Sequence, residues 1–164
     1  MDLWALLADL PAPLVVLLIG AMPIFEVRGA IPAAVALKMP LGQAYLWACL
    51  GNLLPVIPLL FLLDPVSTWL RRFPLWAGFF KWWFARIEKN AAIIRRYEAL
   101  GLCLFVMVPL PMTGAWTGCA AASLFKLPFR LAFPAIALGV LGAGVLVAFA
   151  VQVGLSLFYS APGL

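Results

Sequence analysis

The chain has 164 residues, of which 66% are hydrophobic and 10% are charged, and it contains no His. This composition excludes an ordinary soluble domain and predicts an all-helical integral membrane protein. The net charge of +5 does not indicate nucleic-acid binding, because most of the basic residues fall within residues 71–96, as expected of a segment at a membrane surface.

The residues offer little chemistry for an enzyme or a cofactor. Cys49, Cys103 and Cys119 are widely spaced in apolar stretches, and no nucleophile stands beside a base, so we expect no catalysis, disulfide framework, metal site or cofactor. The leading region carries Asp2 and Asp9 and no basic residue, so we do not expect a cleaved signal peptide.

The first unusual stretch is residues 22–34, MPIFEVRGAIPAA. Pro23 and Pro32 disfavour a straight helix through it, and Gly29 adds backbone freedom. The apolar runs on either side are too short to span roughly 30 Å of hydrocarbon. We predict a re-entrant helical hairpin that enters the membrane and returns. A longer, bent crossing over residues 3–21 is the alternative.

Glu26 and Arg28 lie near the predicted tip of this hairpin. Ionisable groups at membrane depth are costly, so such a pair predicts a functional site. Broken backbone persists in lipid only where protein covers it or where it lines a watery cavity. The alternative is that the two charges only hold the hairpin tip together.

Residues 44–63 contain no charge and are long enough to cross the membrane. Pro55 and Pro58 predict a kink in this crossing. Asn52 either joins neighbouring helices by hydrogen bonding or lines a substrate path, and we include it among the candidate site residues.

Residues 64–98 form a predicted amphipathic linker. Apolar residues at three-and-four spacing occupy one side of a helix and basic residues fall elsewhere, which predicts an interfacial helix. The apolar positions are Trp76, Phe80, Trp83, Phe84, Ile87, Ala91 and Ile94. This segment is either a surface anchor or a specific site for lipid head groups.

A second hairpin is predicted around residues 109–118, PLPMTGAWTG. Its tip has no charge, but Thr113, Gly114, Trp116 and Thr117 are candidate substrate-binding residues. Residues 131–156 then form a second uncharged crossing, whose small residues allow close helix packing.

Displacing the chain by 88 residues superimposes its two halves. The matched pairs include Pro23 with Pro111, Lys38 with Lys126, Pro40 with Pro128 and Gly51 with Gly139. The order of features also agrees: a hairpin, then lysine and proline, then one long crossing. We therefore predict a single membrane domain with two repeats, residues 1–63 and 99–164, joined by the linker.

If each repeat crosses the membrane once, the two repeats run in opposite directions. Nearly all basic residues then share a face with the linker, so the positive-inside rule predicts a cytoplasmic linker and both termini facing outward. Inverted repeats with broken helices that meet near the midplane are typical of alternating-access transporters. Two crossings alone would surround a pathway with only a thin wall. A homodimer would complete that wall.

Residues 25–34, FEVRGAIPAA, together with PLPMTGAWTG resemble the bacterial family of small multi-drug export proteins over most of the chain. The plan of two hairpins also resembles the DedA-like membrane superfamily, which implies the return of phosphorylated polyprenyl carriers and other lipids across membranes. DedA-like proteins carry an arginine motif in the second hairpin, where this chain has Thr113 and Thr117.

Our preferred hypothesis is a proton-coupled transporter of a lipid-like substrate with a charged, phosphate-bearing head group. Arg28, helix N-terminal amides and the hydroxyls of Thr113 and Thr117 would hold the head group, and Glu26 would take up and release a proton. The partners would be a membrane lipid or amphipathic small molecule and protons, with no nucleic acid.

The same residues also allow export of cationic compounds. Glu26 would then bind the cation, Trp47 or Trp116 would offer an aromatic face, and Arg28 would be the resting counter-ion. A membrane scaffold that acts through partners, without transport, is the third possibility.

Overall fold

The structure, a computed structural model, describes residues 10–70, 78, 81–83, 85–88, 92–108 and 113–160. Across these ranges all regular secondary structure is helical, which confirms the predicted all-helical class. The principal helices are α1 (Ala12–Ala21), α2 (Glu26–Ala36), α3 (Leu41–Leu53), α4 (Val56–Leu70), α5 (Ala92–Met107), α6 (Ala115–Leu124) and α7 (Phe129–Ser160).

Two stretches are long and apolar enough to cross a membrane. Leu41–Leu63 has 23 residues and comprises α3 and part of α4, and Phe129–Leu157 has 29 residues and lies within α7. At a rise of about 1.5 Å per residue, each exceeds the thickness of a hydrocarbon core. They coincide with the two crossings that the sequence predicts.

The first of these stretches is bent at its prolines. Helix α3 ends at Leu53 and α4 begins at Val56, with a turn between them. Pro55 lacks the N–H that would continue the backbone hydrogen bonding of α3. Its carbonyl accepts a hydrogen bond from the Leu59 N–H at 3.0 Å, in the first turn of α4. The predicted kink is confirmed.

The chain divides into two compact units. Unit 1 contains Met1–Asn52 and Gly142–Leu164, and unit 2 contains Leu53–Leu141. Each unit therefore combines one hairpin with half of each long stretch. The predicted division into residues 1–63, 64–98 and 99–164 follows the sequence repeat, which is a different grouping, and it stays a prediction.

In unit 1, α1 and α2 pack against each other as a hairpin with a turn at residues 22–25. Two glycines let α1 approach α3 closely. A Cβ on Gly20 would lie 2.7 Å from the Ala48 carbonyl oxygen, and a Cβ on Gly51 would overlap the Leu17 carbonyl. The alternative long crossing begins at residue 3, and residues 1–9 lie outside the described part of the chain.

In unit 2, α5 and α6 pack against each other, and α4 packs against α6. Glycines again permit the contact. A Cβ on Gly118 would lie 2.6 Å from the Val106 Cγ2 atom, and one on Gly139 would lie 2.8 Å from the Cys103 carbonyl oxygen. Gly51 and Gly139, which the sequence repeat matches, therefore each pack against the first arm of a hairpin.

Helix α5 is kinked at Glu98, whose φ of 45° and ψ of −113° are not helical. This kink separates the linker from the first arm of the second hairpin. In the described part of the linker Ile87 and Ile94 are 3% and 1% exposed and Trp83 is partly exposed, whereas the polar positions Lys81, Glu88 and Arg96 are exposed, in agreement with the amphipathic pattern. The predicted apolar positions Trp76, Phe80, Phe84 and Ala91 lie outside the described residues.

The first hairpin ends in a Schellman motif. Lys38 has a left-handed φ of 60°. Its N–H donates to the Val35 carbonyl at 2.9 Å, and the Met39 N–H donates to the Ala34 carbonyl at 3.0 Å. These two bonds satisfy carbonyls at the end of α2.

The second hairpin ends in the same way, 88 residues later. Lys126 has a φ of 54°. Its N–H donates to the Ser123 carbonyl at 3.1 Å, and the Leu127 N–H donates to the Ala122 carbonyl at 2.9 Å. The repeat in the sequence is therefore also a repeat of backbone conformation, although its inversion across a membrane stays a prediction.

Candidate functional site

Glu26 is the first residue of α2 and directly follows the turn of the first hairpin. Its side chain is 5% exposed. Its φ of 49° is left-handed, a conformation that costs a residue other than glycine about 1–3 kcal/mol. The Glu26 N–H donates to the Met22 carbonyl at 3.1 Å. The hairpin turn thus fixes a buried carboxylate in a strained conformation.

Gly114 takes the equivalent place in unit 2, 88 residues further along the chain. It precedes α6 and has a φ of 148°. Glycine adopts positive φ with little strain because it has no Cβ. The two φ values differ by about 100°, so the sequence repeat matches a buried, charged and strained residue with a glycine in a different backbone conformation.

Arg28 lies in the first turn of α2, and its charge interacts with that of Glu26. Side chains two residues apart do not face each other on a regular helix. The two charges therefore interact as neighbours at the start of the helix and not as a facing pair. Arg28 is partly exposed as a residue although its Nε atom is buried, whereas the whole of Glu26 is 5% exposed, so Arg28 is the less buried residue of the two.

Gly29 makes room for the turn. A Cβ at this position would lie 2.8 Å from the Phe25 Cβ atom and 2.9 Å from its Cδ1 atom. Phe25 therefore folds back over α2, and packing explains why residue 29 is glycine. The neighbouring Ile24 is 86% exposed, so the tip of the hairpin is apolar on its outer side.

Asn52 lies near the end of α3 and is 1% exposed. Its Oδ1 atom is buried and has no hydrogen-bond partner among the described residues. A buried polar atom in this state costs on the order of 1–3 kcal/mol. Joining helices through this oxygen would require a donor, whereas the Asn52 amide nitrogen can itself donate, so that alternative stays a prediction. Asn52 remains a candidate for lining a substrate path.

The predicted residues of the second hairpin gather around the start of α6. The Thr113 hydroxyl donates to the Val108 carbonyl at 2.7 Å, and the Thr117 hydroxyl donates to the Gly114 carbonyl at 3.2 Å. Each hydroxyl has one proton, so neither can also donate to an anion in this arrangement. Trp116 is partly exposed.

The candidate residues thus form two groups. Glu26, Arg28 and Gly29 share the first turn of α2, with Asn52 in the same unit, whereas the other four belong to unit 2. The predicted meeting of the two hairpin tips near the midplane stays a prediction, and residues 109–112 of the second tip lie outside the described residues. Within the described part of the chain, no cluster of His, Cys, Asp or Glu could hold a metal ion.

Unit 1 also contains a groove that the sequence did not predict. It has a volume of about 360 Å³ and is lined by Leu41, Tyr45, Val145, Ala148, Phe149 and Gln152. The repeat indicates only that the two units differ here, because the displacement that matches Lys38 with Lys126 also matches Leu41 with Phe129. Unit 2 has a larger, aromatic residue at that place.

Comparison with known proteins identifies one family. The family model described as "Putative small multi-drug export protein" matches residues 26–146. The match begins at Glu26 and includes every candidate site residue of both units. No curated protein and no solved structure matches the chain.

Proposed function

Because the chain belongs to the small multi-drug export protein family, we propose that it transports an amphipathic or lipid-like substrate with an anionic, phosphate-bearing head group, coupled to protons. Its location in a membrane follows from the family and from the two apolar stretches. The observation that carries the proposed site is Glu26, a buried carboxylate at a left-handed φ where the other repeat has glycine. Strain of this kind concentrates at functional sites.

Arg28 is the proposed contact for the head group. It is the less buried of the two charged residues at the start of α2, and a guanidinium binds a phosphate through directed, charge-assisted hydrogen bonds. The hydroxyls of Thr113 and Thr117 already donate to backbone carbonyls. These two hydroxyls are therefore not assigned to the head group, and the proposed site lies in the first hairpin.

Coupling to protons follows from competition for Arg28. A bound phosphate would draw the guanidinium away from Glu26 and leave the carboxylate buried without its counter-charge. A carboxylate in that state is costly, and taking up a proton removes the charge. When the substrate leaves, Arg28 returns to Glu26 and the proton is released. In this mechanism proton and anion travel together.

The proposed architecture is two inverted repeats with re-entrant hairpins in the bacterial inner membrane. The linker would face the cytoplasm, both termini would face outward, and a homodimer would complete the wall around the pathway. The equal Schellman motifs at Lys38 and Lys126 support two repeats of one design. We propose that this plan is DedA-like, and the proposed mechanism includes no catalytic step.

The family description favours export of drugs as a second candidate, and we propose cationic amphipathic compounds as the substrates in that case. Glu26 would then bind the cation, which would displace Arg28, and the partly exposed Trp47 of the same unit would offer an aromatic face. This candidate requires the substrate to reach a carboxylate that is 5% exposed. A scaffold without transport would need neither charge to move.

Reconstitution in liposomes separates these functions. A phosphorylated polyprenyl lipid and a cationic dye are offered to wild type, Arg28→Ala and Glu26→Gln, with Arg130→Ala, an exposed site on α7, as the control. The proposal predicts that both site variants lose lipid transport and that the control keeps it. If Arg28→Ala is normal and Glu26→Gln fails only with the dye, the second candidate is correct. Wild-type behaviour of both variants with both substrates would mean that the charges only hold the hairpin together.

A further inference from the structure

The groove in unit 1 lies beside the first turns of α3. Leu41 and Tyr45 line it from α3, and Val145, Ala148, Phe149 and Gln152 line it from α7. Its volume of about 360 Å³ is at the lower end of the about 300–1,000 Å³ that small-molecule sites occupy. All six residues belong to stretches that can cross a membrane, so hydrocarbon and not water would surround it.

Gly144 shapes the groove. A Cβ on Gly144 would lie 2.8 Å from the Tyr45 Cε2 atom and 2.9 Å from the Cys49 Sγ atom. The Tyr45 ring therefore lies against the backbone of α7. Phe149 is 70% exposed, so its ring does not close the groove from the other side.

Unit 2 has aromatic rings at the equivalent positions. The repeat matches Leu41 with Phe129, Tyr45 with Phe133 and Phe149 with Phe61. The Phe129 ring stacks on Phe61 with centroids 4.7 Å apart and on Phe133 with centroids 5.5 Å apart. Phe129 thus inserts an apolar ring between two others, and Leu41 is too short to do the same in unit 1.

We propose that the groove of unit 1 binds a hydrocarbon chain of an anionic membrane lipid. The chemistry of the occupant follows from unit 2, where the chain's own apolar side chain takes the equivalent place. The charge follows from Lys38, which is exposed and lies three residues before Leu41 at the start of the same long stretch. An ammonium there complements a phosphate head group, while the groove holds the chain below it. This site is separate from the Glu26 site and does not depend on transport.

Photo-crosslinking tests the proposal directly. The protein is reconstituted with phosphatidylglycerol that carries a diazirine at one chain end, and labelled peptides are mapped by mass spectrometry. We expect labelling concentrated on the groove residues of α3 and α7. Leu41→Phe supplies the ring that Phe129 supplies in unit 2, and it should reduce this labelling about tenfold. Leu46→Phe, on the exposed side of α3, is the matched control and should leave it unchanged.

Two further variants test the proposal independently in case Leu41→Phe does not fold. Phe129→Leu should open the equivalent groove in unit 2 and create new labelling there. Lys38→Glu should remove any preference for phosphatidylglycerol over phosphatidylcholine carrying the same diazirine chain. Labelling spread evenly over exposed apolar residues, or unchanged by both Leu41→Phe and Phe129→Leu, would overturn the proposal. A groove that remains unlabelled while Leu41→Phe changes the oligomeric state would assign it to a second copy of the chain and would also overturn it.

Discussion

The 88-residue displacement of the repeat matches Glu26 with Gly114, and both have positive φ, 49° and 148°. Positive φ favours glycine, and the second hairpin has glycine at the matched position. The first hairpin instead holds a carboxylate that is 5% exposed. We interpret this asymmetry as the mark of a site that only one of the two repeats carries.

The interaction between Glu26 and Arg28 should be measurable as a coupling free energy. Removing either charge leaves the other with less compensation, whereas removing both does not. For Glu26→Gln, Arg28→Gln and the double variant, we expect a coupling of about 1–2 kcal/mol in the free energy of unfolding. Denaturant unfolding in detergent micelles measures it. Strictly additive effects would show that the two charges do not interact.

Glycine in place of either of the two lysines with left-handed φ should increase the stability of the protein. Lys38→Gly and Lys126→Gly relieve strain at φ values of 60° and 54°, and each should raise the free energy of unfolding by about 0.5–1 kcal/mol. Lys38→Ala and Lys126→Ala remove the charge but keep the Cβ, so they serve as controls and should not stabilise the protein. A loss of stability in both glycine variants would contradict the Schellman geometry.

The matched glycines should be intolerant of even a methyl group. Gly51→Ala and Gly139→Ala would force a Cβ into the Leu17 carbonyl and the Val106 side chain respectively. We expect each to cost about 1–3 kcal/mol in thermal unfolding experiments. Gly154 lies in α7 with nothing within 4 Å of an added Cβ. Gly154→Ala should therefore be neutral or slightly stabilising, and equal effects at all three positions would refute these contacts.

Inversion of the repeats predicts that equivalent residues lie on opposite sides of the membrane. A membrane-impermeant maleimide should label Lys38→Cys from outside intact cells and Lys126→Cys only after the cells are opened. Arg86→Cys, in the linker, should behave like Lys126→Cys. Wild type gives the background from the native cysteines, of which Cys49 and Cys119 are buried. Labelling of Lys38→Cys and Lys126→Cys from the same side would exclude inverted repeats.

The sequence predicts much of the local structure, because proline and glycine act over a few residues. Pro23 marked the turn of the first hairpin, and Pro55 marked the break between α3 and α4. The displacement that matches Lys38 with Lys126 also matched the two Schellman motifs. These features depend on residues within one or two helical turns.

The site itself depended on information that the sequence does not carry. Nothing in the residue types predicts that Glu26 has a left-handed φ, because glutamate rarely adopts one. The sequence predicted that the hydroxyls of Thr113 and Thr117 would bind an anion. In the structure both hydroxyls donate to nearby backbone carbonyls instead. The groove beside Leu41 is formed by residues about a hundred positions apart, and single-sequence periodicity does not report such contacts.

The most direct test of the account is transport by Glu26→Gly in liposomes that contain a phosphorylated polyprenyl lipid. Glycine suits a φ of 49° and matches the residue of the second hairpin, so the variant should fold and reconstitute like wild type. We predict that its transport falls at least about tenfold, since the carboxylate that couples the proton is absent. A folded Glu26→Gly protein that moves this lipid at the wild-type rate would contradict the claim that Glu26 is part of a transport site.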